Sequence, residues 1–514
     1  MIIQYQDYVQ QIRAFSRSSM IYSSTETSWS IWKRLLDNRL KTDEKPEEII
    51  VKAHVPRIFS ISVATGNNHR EKLATLGDIV KLSHNYLGVF ESINNKKIIE
   101  SETQDILKYL EESKFIPYPS TDHLKEIAHA TVGGLFLQRT FRSQWDSSSY
   151  SIHHVPRLWR IFQLLDSQLD GVPTQIARKI FGMDPIHTVR SAFGLYTMAD
   201  QSKPLGIVDL SIKSCDPEII EKLNIDMETL KLIARKISAD SSKFRAWHDT
   251  LEIIPKHYRK YAPIPLYDSP LYWEKENEFI CPSPDIFIAS ISDIIFREFR
   301  SNPSLFPNID ISVEIGNAFH EYVAEILPHL FPLAKINDWS KLTHSRKNAD
   351  FVVETDQEIF VIEAKRSIGG TTAKTICSPK DVVFVWERLF QSFQQCAETI
   401  KEIRKQGIST KTIFSFVVVE SSVLGDAELF CFYAHHVGIL KELGLESIEV
   451  LSIEHFERLI ISSSIEEIKN KILEKWKQIN ENPVMKNFYF IRTSNIEKIT
   501  LPFLDDCFKS LFSA

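Results

Sequence analysis

The sequence predicts an α/β protein with a large, mostly helical N-terminal region and a C-terminal domain in which helices flank a central mixed sheet. Helical apolar spacing dominates residues 1–265, and a proline-rich stretch then separates this part from the rest. The C-terminal part orders its patterns as helix, two strands, helix and further strands. A hairpin followed by crossover connections is typical of a mixed sheet covered by helices.

Size and composition are those of a globular chain with more than one domain. Its 514 residues exceed the roughly 250–300 at which a single core stops growing. The net charge of −6 argues against general affinity for polyanions, so any contact with nucleic acid needs a local basic surface. Six scattered cysteines without a CxxC pair indicate neither a zinc site nor a dense disulfide framework.

The composition of the chain changes near residue 261, where the proline-rich stretch "YAPIPLYDSPLYWEKENEFICPSPDIF" resembles a connector. We therefore predict a region for recognition, regulation or partner binding at 1–265, the sheet domain at 266–460 and a helical extension at 461–514. The sequence shows no leader-type apolar segment and no apolar run long enough to span a membrane. We expect a cytoplasmic protein without a membrane partner.

The elements of the C-terminal part follow a definite order. Apolar residues at three- and four-residue spacing predict helices; they lie at 285–300, 311–331 and 381–405. Short apolar or alternating runs rich in Val, Ile and Phe predict strands; they lie at 349–354, 358–365, 411–421, 428–434 and 447–453. Charged helical sequence returns from residue 454 onward.

The stretch "NADFVVETDQEIFVIEAKRS" (348–367) carries charged residues at the edges of two strands that are otherwise apolar. Side chains alternate along a strand, so Glu363 and Lys365 share one face, about 6–7 Å apart. The turn between the strands folds the first back on the second, which brings Asp350 beside the end of the second strand. These three side chains should converge at one sheet edge, unless this is an exposed hairpin end with ordinary surface charges.

Two carboxylates at one edge indicate a cation. They repel each other unless they are protonated, separately solvated or bridged by a positive charge. Carboxylate oxygens suit Mg²⁺ or Mn²⁺, which also accept phosphate oxygens as ligands. A lysine beside such an ion would stabilise developing negative charge, or would orient or help to deprotonate an attacking water.

Asp350 followed by Glu363-Ala364-Lys365 after a short hairpin resembles the core motif of the PD-(D/E)XK nuclease superfamily, which includes restriction endonucleases and RecB-type nucleases. The proline that usually precedes the aspartate is replaced here by Ala349. The resemblance covers about a third of the chain, residues 280–455. It implies a restriction-endonuclease-like domain and a magnesium-dependent nuclease.

The resemblance also implies a metal ligand on the helix before the hairpin. Gly316-x-x-x-His320 matches the RecB-type GxxxH element, whose histidine is a metal ligand. Related families place a glutamate at the equivalent position, so Glu321 is the second candidate and Glu314 the third.

On the helix after the motif strand, the family often has a glutamine or lysine facing the site. Gln391 and Gln394 are the candidates here, and Gln391 is retained as a candidate catalytic residue. An exposed glutamine pair without a role is the alternative.

A local basic balance accompanies the motif. Residues 335–411 contain 13 Lys or Arg against 10 Asp or Glu, in a chain that is acidic overall. Four cations near Asp350 and Lys365 are candidates for phosphate contacts; they are Lys341, Arg346, Lys347 and Arg366. An ordinary basic surface loop is the alternative.

These observations predict an Mg²⁺- or Mn²⁺-dependent nuclease, an endonuclease by analogy, that cleaves DNA phosphodiesters with a metal-activated water. Asp350 and Glu363 would hold the ion, His320 would complete its shell and Lys365 would stabilise charge. Analogy alone suggests a role in bacterial anti-phage defence or restriction. The sequence leaves open an RNA-directed nuclease, a non-catalytic nucleic-acid-binding or interaction protein on the same scaffold, and a homodimer or partner contact through residues 1–265.

Overall fold

A computed structural model describes most of the chain. The described residues are 5–37, 46–87, 95–113, 132, 154–202, 205–211, 220–221, 223–339, 341, 348–366, 376, 378–407, 411–420, 431, 434–435, 438–462, 464–481 and 502–512. The chain forms two compact units. Unit 1 comprises Met1–Ile93, Thr140–Ser312 and Thr500–Ala514, and unit 2 comprises Asn94–Arg139 and Val313–Ile499.

Helices dominate unit 1. Its helices are α1 Tyr5–Arg13, α2 Arg17–Asp37, α3 Pro46–Thr65, α4 Leu76–Leu87, α6 His154–Gln168, α7 Val172–Phe181, α8 Pro185–Gln201, α9 Met227–Lys236, α10 Ser241–Thr250, α11 Pro284–Ser292, α12 Ile294–Ser301 and α18 Pro502–Phe512, with α5 and α13–α17 in unit 2. A small mixed sheet has the order β1-β4-β3-β2; its strands are β1 Ile207–Asp209, β2 Ser238–Ala239, β3 Leu271–Lys275 and β4 Glu278–Ile280.

The proline-rich stretch belongs to the core of unit 1, so the predicted boundary at 265/266 is wrong. Leu266 and Tyr272 are buried in one cluster with Phe59 and Phe244. The hairpin of β3 and β4 pairs with strands from the preceding region. Prolines there shape a packed hairpin and its approaches, and the first residue of unit 2 is Val313 in the second half of the chain.

Unit 2 holds a five-stranded mixed sheet of order β5-β6-β7-β8-β9. Its strands are β5 Lys335–Asp338, β6 Phe351–Glu354, β7 Glu358–Lys365, β8 Thr412–Val419 and β9 Glu449–Ser452, and its helices are α5 Asn95–Ser113, α13 Ile311–Leu330, α14 Pro379–Lys405, α15 Ile439–Leu443, α16 Ile453–Ser462 and α17 Ile465–Glu481. β5, β6 and β7 are antiparallel neighbours, whereas β7, β8 and β9 are parallel. The predicted mixed α/β class is confirmed.

The central strand β7 is apolar on both faces because it is covered on both sides. Residues Glu358 to Glu363 are all buried, as expected for a strand between two covering layers. Phe360 stacks on Phe414 of β8 with ring centroids 5.5 Å apart and contacts Phe331 at 5.1 Å. This packing fixes the strand that carries the charged residues.

α14 begins at a capping box. The Ser378 side chain accepts a hydrogen bond from the Asp381 backbone, and the Asp381 side chain accepts one from the Ser378 backbone. Pro379 occupies the first turn, where its missing N–H costs nothing. The helix runs for 27 residues and packs against β7 and β8.

The predicted strand at 428–434 is wrong for the residues that the structure describes. Cys431 and Ala434 are helical and buried. A short apolar run does not distinguish a strand from a buried helix. In the described part of the chain, no helix is both long and apolar enough to cross a membrane.

Candidate active site

The register of β6 and β7 brings the two acids of the motif together. Phe351 pairs with Ile362 in an antiparallel ladder, so one step further out Asp350 stands opposite Glu363. The backbone amide of Ala364 donates a hydrogen bond to Oδ2 of Asp350 at 2.8 Å. The motif strand thus orients the carboxylate that precedes β6.

Glu363 is a fully buried acid, with an exposed fraction of 0%. Burial, reinforced by the charge of Asp350, raises the pKa of Glu363 to about 8 despite the opposing effect of Lys365. Lys365 Nζ forms an ion pair with Oε1 of Glu363, but neither carboxylate oxygen receives a hydrogen bond of ordinary geometry. An ionised carboxylate in this setting is costly unless further positive charge compensates it.

Lys365 remains partly open to solvent, with 37% of its side chain exposed. Burial alone would lower the pKa of Lys365, but the charges of Glu363 and Asp350 outweigh it and the net shift is upward. The ammonium is therefore charged at neutral pH. This favours electrostatic stabilisation by Lys365 over deprotonation of a water.

His320 of α13 lies beside Asp350. Its ring stacks on Phe351 with centroids 4.6 Å apart, and its Nε2 is 3.6 Å from Oδ1 of Asp350. One helical turn earlier is Gly316, where an added Cβ would meet nothing within 4 Å. The structure thus brings the histidine of the GxxxH element to the acids and leaves open space next to it.

Glu321 and Glu314 have partners other than Asp350, and Oε1 of Glu321 also lies 3.7 Å from Nδ1 of His320. Glu321 Oε1 lies 3.0 Å from Lys341 Nζ, and Oδ2 of Asp338 is also 3.0 Å from that ammonium. The hydrogen bond that Lys341 donates to Glu321 is the main cause of the raised pKa of Lys341. Glu314 accepts a hydrogen bond from Asn317 at 3.0 Å. Of the three helix candidates, His320 is the one at ion-pair distance from Asp350.

The structure contradicts the predicted phosphate contact of Arg366. Arg366 is only 9% exposed, and its Nε lies 2.9 Å from Oε2 of Glu420. A guanidinium buried in an ion pair is not presented to phosphate, so we remove Arg366 from the candidate interface. Gln391 and Gln394 are both exposed on α14, and the glutamine that reaches the approach to Asp350 is Gln395. Arg346 and Lys347 lie outside the described residues.

The contacts that hold the chain just before Asp350 were not predicted from the sequence. Thr399 accepts a hydrogen bond from the backbone amide of Ala349 at 2.7 Å. Gln395 Nε2 lies 3.4 Å from the backbone oxygen of Asn348, whose side chain donates to Glu402 at 3.0 Å. Polar residues at three- and four-residue spacing on a helix that is otherwise apolar toward the sheet were the available signal.

A buried thiol adjoins the acids. Cys396 is 0% exposed, and burial together with the charges of Glu363 and Asp350 raises its pKa well above the ordinary range. A neutral thiol of this kind packs as a small apolar group. Cys396 therefore adds a small apolar group to the buried surroundings of the acids.

No protein-family model matches this chain. A comparison with curated proteins gives no match either. The case for a function therefore depends on the geometry of Asp350, Glu363, Lys365 and His320.

The donor set fits a hydrated hard cation better than a closed metal site. In the part of the chain that the structure describes, no group of three or more His, Cys, Asp or Glu is arranged to hold a metal ion. Zinc requires such a group, whereas Mg²⁺ keeps several waters and uses one or two carboxylates together with substrate phosphates. Asp350 and the under-bonded Glu363 provide two carboxylates of this kind.

Proposed function

We propose that this protein is a nuclease that depends on Mg²⁺ or Mn²⁺ and hydrolyses phosphodiester bonds of DNA in a restriction-endonuclease-like domain. The observation that carries the proposal is the buried carboxylate of Glu363, opposite Asp350 and without ordinary hydrogen bonds. Lys365 is one counter-charge for these acids, and a cation between them would offset the remaining repulsion between the two carboxylates. Anti-phage defence or restriction is the proposed context, by analogy.

Some residues of the site would hold the ion, and others would contact the substrate. Asp350 and Glu363 would hold the cation, which when bound would activate a water and polarise a phosphoryl oxygen. The Ala364 amide keeps Asp350 oriented. His320, close to Asp350, would complete the polar surroundings. Lys365, charged and partly exposed, would stabilise negative charge on the phosphate.

A second candidate is a nucleic-acid-binding protein without catalysis on the same scaffold. The direct ion pair between Lys365 and Glu363 favours it, because an ammonium can replace a cation as the counter-charge. RNA is the alternative substrate for the first candidate, since the two carboxylates and Lys365 address the phosphodiester that both polymers share. Both alternatives are outcomes of the same experiment.

The test incubates wild type, Asp350→Asn and Glu363→Gln with linear duplex, circular duplex and single-stranded DNA and with RNA. Each reaction is run with Mg²⁺, with Mn²⁺ and with a chelator. We expect DNA cleavage by wild type that needs the cation and is lost in both variants. Mn²⁺ binding by calorimetry, with circular dichroism to verify folding, provides a second readout and should also be lost.

The matched control is Glu358→Gln. Glu358 is a buried acid at the opposite end of β7, 8% exposed, and bonds to Thr355 at 2.9 Å. This variant should cleave and bind Mn²⁺ like wild type. Equal cleavage by wild type and Glu363→Gln would reject the assignment, and nucleic-acid binding without cleavage or Mn²⁺ binding would favour the second candidate.

A further inference from the structure

One face of α14 carries cations, an aromatic ring and amides in place of the usual surface acids. At 100° per residue, Lys380, Phe384, Arg388 and Gln391 fall within about 80° of one another on the helix. All four are exposed, and Phe384 keeps 48% of its surface in solvent. We call these four residues the α14 stripe.

The α14 stripe leads toward the candidate active site. Gln395 continues the same face and contacts the backbone of Asn348, two residues before Asp350. α14 connects two parallel strands and packs on both, so it runs back along them from the carboxyl end of β7. From Gln395 to Phe384 the face extends about 16 Å, away from the acids and past the end of the motif strand.

At the middle of the stripe, the Arg388 guanidinium lies over the Phe384 ring, 4.8 Å from its centroid. Such a pair, open to water, is a ready platform for a base, because bases stack on aromatic rings and on guanidinium planes. Phe384 keeps 48% of its surface in solvent while its ring is in contact with a cation, so both groups are accessible for such stacking. The exposed pair therefore favours a ligand with flat, unpaired rings.

The charges of the stripe suit a phosphate chain. Lys380 and Arg388 are the cations, Gln391 adds a hydrogen-bonding amide, and two half-buried acids, Asp381 and Glu387, lie at the margins. Cationic and aromatic groups that alternate along one groove or face are the arrangement by which proteins hold single strands. A duplex would offer its phosphates but would keep its bases stacked inside.

We propose that the α14 stripe binds an unpaired stretch of the nucleic-acid substrate and directs the adjoining phosphodiester to Asp350 and Glu363. The inference rests on the proposed function because the bound strand leads to the proposed nuclease site, but strand binding by the stripe can be measured without cleavage. The proposed substrate class of the site is therefore nucleic acid with a single-stranded segment.

The test measures binding of a fluorescein-labelled oligothymidylate of about 20 nucleotides, several times the span of one stacking site, in chelator, where no cleavage occurs. Wild type, Phe384→Ala, Phe384→Leu and Arg388→Ala are compared by anisotropy at several salt concentrations, alongside a duplex of the same length. Leu473→Ala, which also removes an exposed apolar side chain (54% exposed), and Lys401→Ala, an exposed cation of the same helix, are the matched controls.

Phe384→Ala should weaken single-strand binding about tenfold and Phe384→Leu nearly as much, because a branched aliphatic chain cannot stack. Arg388→Ala should also weaken it and reduce the logarithmic salt slope by about 0.7. Both controls should bind like wild type. Duplex binding should change less than twofold in the Phe384 variants.

The outcomes separate the two proposals. Unchanged single-strand affinity in Phe384→Ala and Arg388→Ala, with cation-dependent cleavage that still needs Glu363, would overturn the stripe and leave the nuclease standing. Lost affinity in these variants without cleavage of any substrate by wild type would support the stripe and reject the nuclease. Equal losses on duplex and single strand would overturn the preference for an unpaired segment.

Discussion

The backbone amide of Ala364 holds Oδ2 of Asp350 at 2.8 Å, so the strand that carries one candidate ligand also orients the other. The two carboxylates are therefore coupled: a change of the β6–β7 register by one residue would turn one of them to the other face of the sheet. This coupling makes the buried acid Glu363 the most sensitive probe of the site.

The first prediction concerns pH and Glu363. Its pKa is raised from 4.5 to about 8 in the folded protein. Between these values the folded state retains a proton that the unfolded state has lost, so this group makes stability fall as pH rises through the window and level off above it. Lys365, whose pKa is raised from 10.5, adds nothing in that range. Mn²⁺ should restore stability at pH 8, because it binds the ionised carboxylate.

Hydrogen exchange of peptides from β6 and β7 measures this effect locally, which suits a protein of two units. In Glu363→Gln, both the loss of stability between pH 5 and pH 8 and the stabilisation by Mn²⁺ should disappear. At pH 8 without the ion, the free energy of opening of β7 should be more than about 1 kcal/mol higher in this variant than in wild type. Glu358→Gln is the control. The same pH response in wild type and Glu363→Gln would assign the titration to another group.

The second prediction separates two roles of Glu321. Because Glu321 is hydrogen-bonded to Lys341, Glu321→Gln should retain cation-dependent cleavage and should bind DNA about two- to fivefold more tightly, since it removes one of the two negative charges beside that ammonium. His320→Gln should instead slow cleavage. Cleavage rates and DNA affinities of the two variants give the comparison, and loss of Mn²⁺ binding in Glu321→Gln would make this residue a ligand after all.

The third prediction concerns the buried pair of Arg366 and Glu420, which joins the ends of β7 and β8. Arg366→Met leaves a carboxylate that is 8% exposed without its partner and should destabilise unit 2 by about 3–5 kcal/mol. The double variant with Glu420→Leu should recover most of this loss. Urea unfolding of the single and double variants measures the coupling, and additive losses would mean that the two groups do not depend on each other.

The fourth prediction concerns Gly316. Its Cβ would meet nothing within 4 Å, so Gly316→Ala should stabilise α13 by about 0.5–1 kcal/mol. The same methyl would occupy the space one turn from His320, and we expect cleavage to slow. Gly66→Ala is the contrasting variant, because its Cβ would lie 2.5 Å from the backbone oxygen of Ser62, and it should destabilise. A more stable Gly316→Ala enzyme with full activity would mean that this space is not used.

The sheet of unit 2 was predicted well from the sequence because the patterns that predict its strands are local. Strict apolar runs on either side of the turn at Asp356 predicted β6 and β7 and the meeting of Asp350 with Glu363, and the structure has these elements at nearly the same bounds. The helix predicted at 381–405 is likewise present, as α14 Pro379–Lys405.

The contacts that the sequence did not predict depend on partners far away in the chain. Nothing local in Arg366 distinguishes a phosphate-binding arginine from one that pairs with Glu420, since the difference lies 54 residues downstream. Thr399 and Gln395 likewise gain their roles only when α14 packs beside Asn348. The domain boundary failed for the same reason, because prolines in a packed hairpin and in a linker look alike.

The terminal helix of the described chain has a consequence for biosynthesis. α18 packs on α6 and α8, where buried Arg190 donates to the backbone oxygen of Leu511 at 2.7 Å and Phe193 contacts Phe512 at 5.0 Å. All of unit 2 precedes this helix in the chain. During translation the ribosome therefore completes unit 2 before α18 can pack on unit 1, and until then the ring of Phe193 lacks its contact with Phe512, which exposes apolar surface to chaperones.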